Sequence, residues 1–172
     1  SLYSDLGFIL LGCAVERASG LPLDEYFCEA VAQPLGVNAL FFNRTGAATS
    51  QSRLSRPDVM IAPTEWDDWR QRMLKGDVHD ENTAAMGGVA GHAGLFGTAE
   101  SVLAVSGAWL AGYHGDRSIL DRQLVQEFTT KQSYPRQSSW ALGWDTPTAP
   151  SSSGTHFSPE SFGHLGFTGT SL

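Results

Sequence analysis

The stretch Tyr3-Ser4-Asp5-Leu6-Gly7-Phe8-Ile9-Leu10-Leu11-Gly12-Cys13-Ala14-Val15 decides how the rest of the chain is read. A phenol, a hydroxyl and a carboxylate stand in a row immediately before the most hydrophobic run in the sequence. The apolar run predicts a helix from about Asp5 to Ser19, with Gly20 as its C-terminal stop. Phe8, Ile9, Leu10, Leu11, Val15 and Ala18 surround that helix almost completely, so the pattern predicts a core helix rather than a surface one. Free amides and the aligned backbone dipole at a helix N-terminus favour negative charge there. Polar groups held at such a point can do acid–base chemistry, or Ser4 and Asp5 can simply cap the helix.

Outward from this stretch, Leu23, Tyr26, Phe27, Ala30 and Val31 keep helical spacing, with Pro22 near the start and Pro34 and Gly36 closing the element. Between Val37 and Val78 the periodicity dissolves. Leu40-Phe41-Phe42 reads as a short strand, residues 46–55 are small and polar, and Arg70, Arg72 and Leu74 alternate as a strand does. Residues 37–95 are therefore expected to form an irregular, cleft-lining region within one domain spanning 1–172. His79-Asp80-Glu81-Asn82 precedes Gly87-Gly88-Val89-Ala90-Gly91-His92-Ala93-Gly94-Leu95-Phe96, whose glycines imply tight turns and close backbone approach. Thr98 reads as the N-cap of a helix reaching about Ala111, and Asp121 to Thr129 as a short helix burying Leu124, Val125 and Phe128. Trp140 to Trp144 reads as a strand, residues 147–155 as a loop, and Gly163 to Thr170 as a glycine-rich strand.

Composition excludes several function classes. With 41% hydrophobic and 17% charged residues the chain is that of a globular protein, and its net charge of −7 argues against nucleic acid as a partner. No apolar run is long enough to span a membrane and no signal peptide is visible, so the compartment stays open. Cys13 and Cys28 both fall in expected helices and read as buried thiols rather than a disulfide. The chain opens without Met and closes in what reads as the middle of a strand, so it is expected to be a piece of a longer protein.

Three landmarks together resemble the penicillin-recognising serine hydrolases: class C β-lactamases, low-molecular-weight penicillin-binding proteins and the related esterases. Tyr3-Ser4-Asp5 before an apolar helix resembles their Tyr-x-Asn box. Gly88 to Phe96, followed by Thr98-Ala99-Glu100 and a helix, resembles their Gly-Gly-Leu-x-Ser-Thr-Ala segment. His164-Leu165-Gly166 resembles their Lys-Thr-Gly box, and Gln33-Pro34-Leu35-Gly36-Val37 matches the stretch that follows the second helix in many relatives. The resemblance implies an α+β fold: an antiparallel sheet covered by helices beside a mostly helical lobe, with the site between them. This chain would be the C-terminal part, and the N-terminal half of the same domain would be its missing partner.

The family's nucleophile lies in a Ser-x-x-Lys motif. The only lysines here are Lys75 and Lys131, and neither has a serine three positions before it. The expectation is a serine hydrolase when full length and an inactive piece by itself. As the resemblance implies, Tyr3 is the proton shuttle, which requires nearby positive charge to lower a phenol pKa of about 10. Asp5 replaces an Asn, and a carboxylate only accepts where an amide also donates. His164 stands where relatives carry a carboxylate-binding lysine. The Phe167 N–H, just after Gly166, is the expected oxyanion donor.

Asp5 and His164 both tilt the expected substrate toward a small-molecule or peptide ester or amide and away from efficient β-lactam hydrolysis. His79, Asp80, Glu81, Asn82 and Thr168 are the expected substrate-binding residues, and no metal or cofactor is expected. Two other readings are a non-catalytic homologue that binds peptide or peptidoglycan-like ligands, and a metallohydrolase using His79, Asp80 and His92. The spacing of those three matches no standard ligand pattern. The glycines form no dinucleotide fingerprint and no Gly-x-Ser-x-Gly elbow occurs, which argues against a Rossmann enzyme and an α/β-hydrolase.

Overall fold

The computed structural model describes residues 3–45, 61–116, 119–149, 151 and 153–172. Ser1, Leu2 and the small polar stretch 46–55 lie outside the described residues. The chain divides into two compact units, one formed by Ser4–Val102 and the other by Ser1–Tyr3 with Leu103–Leu172.

The Ser4–Val102 unit opens with α1, Asp5–Ser19. Ser4 caps it, its side chain accepting from the Leu6 amide, and Gly20 ends it at φ 73° with its N–H on the Glu16 carbonyl. Both ends fall where the sequence puts them. The expectation of a core helix does not hold: Leu6, Leu10 and Leu11 are 60–69% exposed, and Gly12 is the buried residue of the helix. Apolar residues on all sides can be buried only where something packs on every side, and here one side does. Cys13 is exposed rather than buried, and Cys28 is partly buried. The second helix is α2, Leu23–Phe27, which widens into a π-helical turn at Cys28–Ala32.

Strand β1, Leu40–Phe42, pairs antiparallel with a later strand, Leu95–Gly97, so that Phe41 lies opposite Phe96. Their rings stack at 6.2 Å, and Phe42 meets Phe27 edge-on at 5.9 Å, which ties the small sheet to α2. In between, β2, Trp66–Asp67, and β3, Arg72–Met73, make a second antiparallel pair. A five-residue helix, α3, Glu81–Ala85, begins where the sequence suggested a polar loop. The strand Leu95–Gly97 is therefore β4. Its approach runs through Gly91, where a Cβ would sit 2.1 Å from the Phe8 carbonyl oxygen of α1, so only glycine lets these backbones meet.

Helix α4, Ala99–His114, begins in the Ser4–Val102 unit and continues from Leu103 into the other, which also holds α5, Arg122–Thr129, capped by Asp121. Val125 is 1% exposed and packs against Gly112, whereas Leu124 and Phe128, expected to be buried, are 56% and 41% exposed. Trp109 of α4 contacts Phe128 and Trp144. The expected strand Trp140–Trp144 is a tight turn instead. Gly143 at φ 87° folds the chain back, so Trp140 pairs with Asp145, and Asp145 in turn with Gly163. Residues 163–172 likewise form a hairpin rather than one strand: the His164 and Leu172 amides and carbonyls exchange bonds at 3.0 and 3.1 Å. The result is an α+β chain, as expected. Among the described residues no single helix is long and apolar enough to cross a membrane.

Candidate active site

Tyr3 and the closing hairpin belong to the same compact unit. The Tyr3 ring meets the His164 imidazole edge-on at 6.0 Å and tilts against Trp140 at 5.6 Å, and Trp140 meets His164 at 5.4 Å. The three rings thus touch one another pairwise. His164 Nδ1 lies 2.7 Å from the Leu165 carbonyl oxygen. A carbonyl only accepts, so Nδ1 carries the hydrogen.

The remaining hairpin candidates follow from its register. The Gly166 amide donates to the Thr170 carbonyl at 2.8 Å, and the Gly169 amide to Gly166 at 3.0 Å, so Phe167 and Thr168 form the turn. The Phe167 side chain is 94% exposed.

The other expected site residues sit in the Ser4–Val102 unit. Because Ser4 caps α1, the Asp5 side chain is left for other contacts. Its carboxylate lies with the side chains of Asp80 and His92, one ligand atom from each falling within 4.8 Å of the others. The His92 side chain is only 2% exposed, and its Nε2 donates to Asp80 Oδ1 at 2.8 Å with the Thr83 hydroxyl 3.1 Å away. Asp80 Oδ1 also accepts the Thr83 amide at 2.6 Å, capping α3. Burial alone would raise the Asp80 carboxyl, but the bonds from Thr83 and His92 outweigh it and hold it below the ordinary carboxylate range. Oxygen and nitrogen ligands of this kind suit a divalent cation. Here Asp80 Oδ1 and His92 Nε2 are bonded to each other, while His92 Nδ1 is buried without a hydrogen-bond partner among the described residues.

The structure separates the other members of the expected polar stretch. His79 Nε2 turns to the Glu65 carboxylate at 2.5 Å, while Glu81 and Asn82 lie on the exposed side of α3. His79 is thus not among the three clustered side chains, which are Asp5, Asp80 and His92.

Sequence reasoning missed Arg70. Its guanidinium bonds to Asp67 Oδ2 and donates to the Val78 and His79 carbonyls at 2.8 and 2.7 Å. Arg70's side chain and amide hold the Asp67 carboxyl below its ordinary range. This clamp fixes the backbone that delivers Asp80. The Trp66-Asp67-Asp68-Trp69-Arg70 cluster was its signal, because an acid three residues before an arginine can close such a turn.

The α+β fold is that of β-lactamases and penicillin-binding proteins. The chain belongs to that family: the family model described as Beta-lactamase matches residues 1–172. It is 36% identical over 182 residues to a putative D-alanyl-D-alanine carboxypeptidase of Escherichia coli K12, covering 98% of this chain and 41% of that protein. An N-acetylmuramyl-L-alanine amidase of Bacillus subtilis is 34% identical over 182 residues, covering 98% of this chain and 40% of that protein. The chain thus spans about two fifths of the length of these relatives.

Among solved structures, a β-lactamase from Mycobacterium bovis superposes with a TM-score of 0.58 at 21% identity, covering 95% of this chain and 47% of that one. A penicillin-binding protein homologue from Pyrococcus abyssi gives 0.54 at 19% identity, covering 85% and 30%. At these identities the two share the fold with this chain.

Proposed function

We propose that this chain supplies the tyrosine and His-x-Gly sides of a serine acyl-transfer site, with the serine and lysine carried by sequence outside these 172 residues. The reaction is attack of the serine on an ester or amide carbonyl, followed by hydrolysis of the acyl-enzyme. Tyr3 passes the proton from the serine to the leaving group. The Phe167 N–H and the serine's own N–H receive the developing oxyanion. The observation that carries this reading is the contact between the Tyr3 and His164 rings, which brings together two sequence boxes from opposite ends of the chain.

The carboxypeptidase and amidase names of the relatives favour a peptide or peptidoglycan-type amide, and His164 in place of lysine favours a substrate without a strongly held carboxylate. The test is to label the longer protein with a fluorescent penicillin and with a serine-directed phosphonate. Covalent labelling that survives a chelator supports serine acylation. Folded protein that neither probe labels refutes it, and would leave the non-catalytic binding homologue standing.

A further inference from the structure

The unit carrying the Tyr3–His164 contact also holds a cavity of about 670 Å³ between α4 and the closing hairpin, a size suited to a small-molecule group. One side is a continuous aromatic wall. Trp109 meets Trp144 edge-on at 5.0 Å, Trp144 meets Phe162 at 5.3 Å, and Phe162 meets Tyr113 at 6.0 Å. The charged groups on its lining are carboxylates, Asp145 and Glu160, and no Lys or Arg is among the described lining residues. The basic groups among those residues are the imidazoles of His114 and His164.

We propose that this cavity binds an apolar group bearing an amine, such as an aryl- or alkylammonium portion of a substrate. Aromatic faces carry a negative quadrupole and attract cations. Carboxylates accept hydrogen bonds from an ammonium and repel an anion. Asp145 Oδ1 accepts the Thr146 amide at 3.0 Å. Both properties select in the same direction. A carboxylate-ended ligand gains neither. Because His164 lines this cavity and also touches Tyr3, the bound group lies beside the proposed reacting centre.

The part this pocket plays in turnover rests on the acyl-transfer reading above, whereas binding does not, and binding can be measured on the longer protein without any turnover. Quenching of tryptophan emission would be followed during titration with 2-(1-naphthyl)ethylammonium, 2-(1-naphthyl)ethanol and 3-(1-naphthyl)propionate. The ammonium ligand is expected to bind about tenfold more tightly than the carboxylate, with the alcohol between them. Glu160 is exposed, so Glu160→Gln and Glu160→Lys should leave near-ultraviolet circular dichroism unchanged.

Glu160→Gln is expected to narrow the preference and Glu160→Lys to reverse it. No saturable quenching by any of the three ligands, a carboxylate bound as well as the ammonium, or a preference indifferent to Glu160→Lys would each overturn the proposal. Failure here together with phosphonate labelling of the same protein would sink the pocket and spare the acyl-transfer reading. The opposite pair of results would do the reverse.

Discussion

The Tyr3 ring packs edge-on against the His164 imidazole at 6.0 Å, although the two residues stand at opposite ends of the chain. Neither box shows this alone. Tyr3 alone reads as a helix-flanking aromatic, and His164 alone as a polar residue on a strand.

Removing the phenol oxygen tests the role proposed for Tyr3. Tyr3→Phe keeps the ring that contacts His164 and Trp140, so folding should be unchanged. In the longer protein the second-order rate of phosphonate labelling should fall by about 10²- to 10⁴-fold, the usual loss with a general acid–base group. A rate within a few-fold of wild type would show that Tyr3 is an aromatic anchor only.

His164 invites the opposite experiment, because lysine is the residue the family places there. His164→Lys adds a fixed positive charge at the mouth of the hairpin. Labelling by a carboxylate-bearing penicillin should rise by about tenfold relative to a neutral ester, since a charged hydrogen bond contributes about 1.5–3 kcal/mol. An unchanged ratio would mean that this residue does not face the substrate's carboxylate.

Two glycines separated by the chain's course should respond in opposite senses. Gly91→Ala puts a methyl 2.1 Å from a backbone oxygen of α1 and should cost about 3 kcal/mol or more. Gly7 lies inside α1, and a methyl added there would meet nothing within 4 Å, so Gly7→Ala should stabilise by about 0.5–1 kcal/mol. The midpoints of urea unfolding should move in opposite directions. If Gly91→Ala is neutral, the contact between α1 and the loop before β4 is not as tight as the structure has it.

The depressed Asp80 carboxyl links stability to acid pH. Its contribution is fully present above the ordinary aspartate value of 3.8 and is lost as pH falls through the lower folded value. Asp80→Asn keeps a side chain able to cap α3 but removes the charge that accepts from His92. It should cost about 1 kcal/mol at neutral pH and flatten the loss of stability below about pH 4. Asp67, also held low, leaves a residual slope. Identical acid limbs in the two proteins would detach the Asp80–His92 bond from stability.

Local chemistry made much of the fold legible from residues alone. Ser4 and Gly20 bound α1, Asp121 caps α5, and Leu40 to Phe42 pair as a strand, because caps and short-range periodicity are properties of neighbouring residues. Even α3 had a signal, Asp80 three positions before Thr83, that passed for loop polarity because the helix is too short for periodicity to show. The turn at 140–145 was misread for the same local reason: aromatics favour strands, and only the left-handed Gly143 turns them back on themselves.

By itself the sequence determined α1, α4 and α5 of this protein, its acidic charge, and the family boxes at each end. Tertiary structure alone decided that Tyr3 and Trp140 close on His164, that Asp5 joins Asp80 and His92 while His79 goes to Glu65, and that α1 leaves its leucines exposed. The physical reason is range. Capping and periodicity act within a turn or two of backbone, whereas these contacts join residues far apart in sequence, and no spacing rule specifies which distant partner a side chain meets.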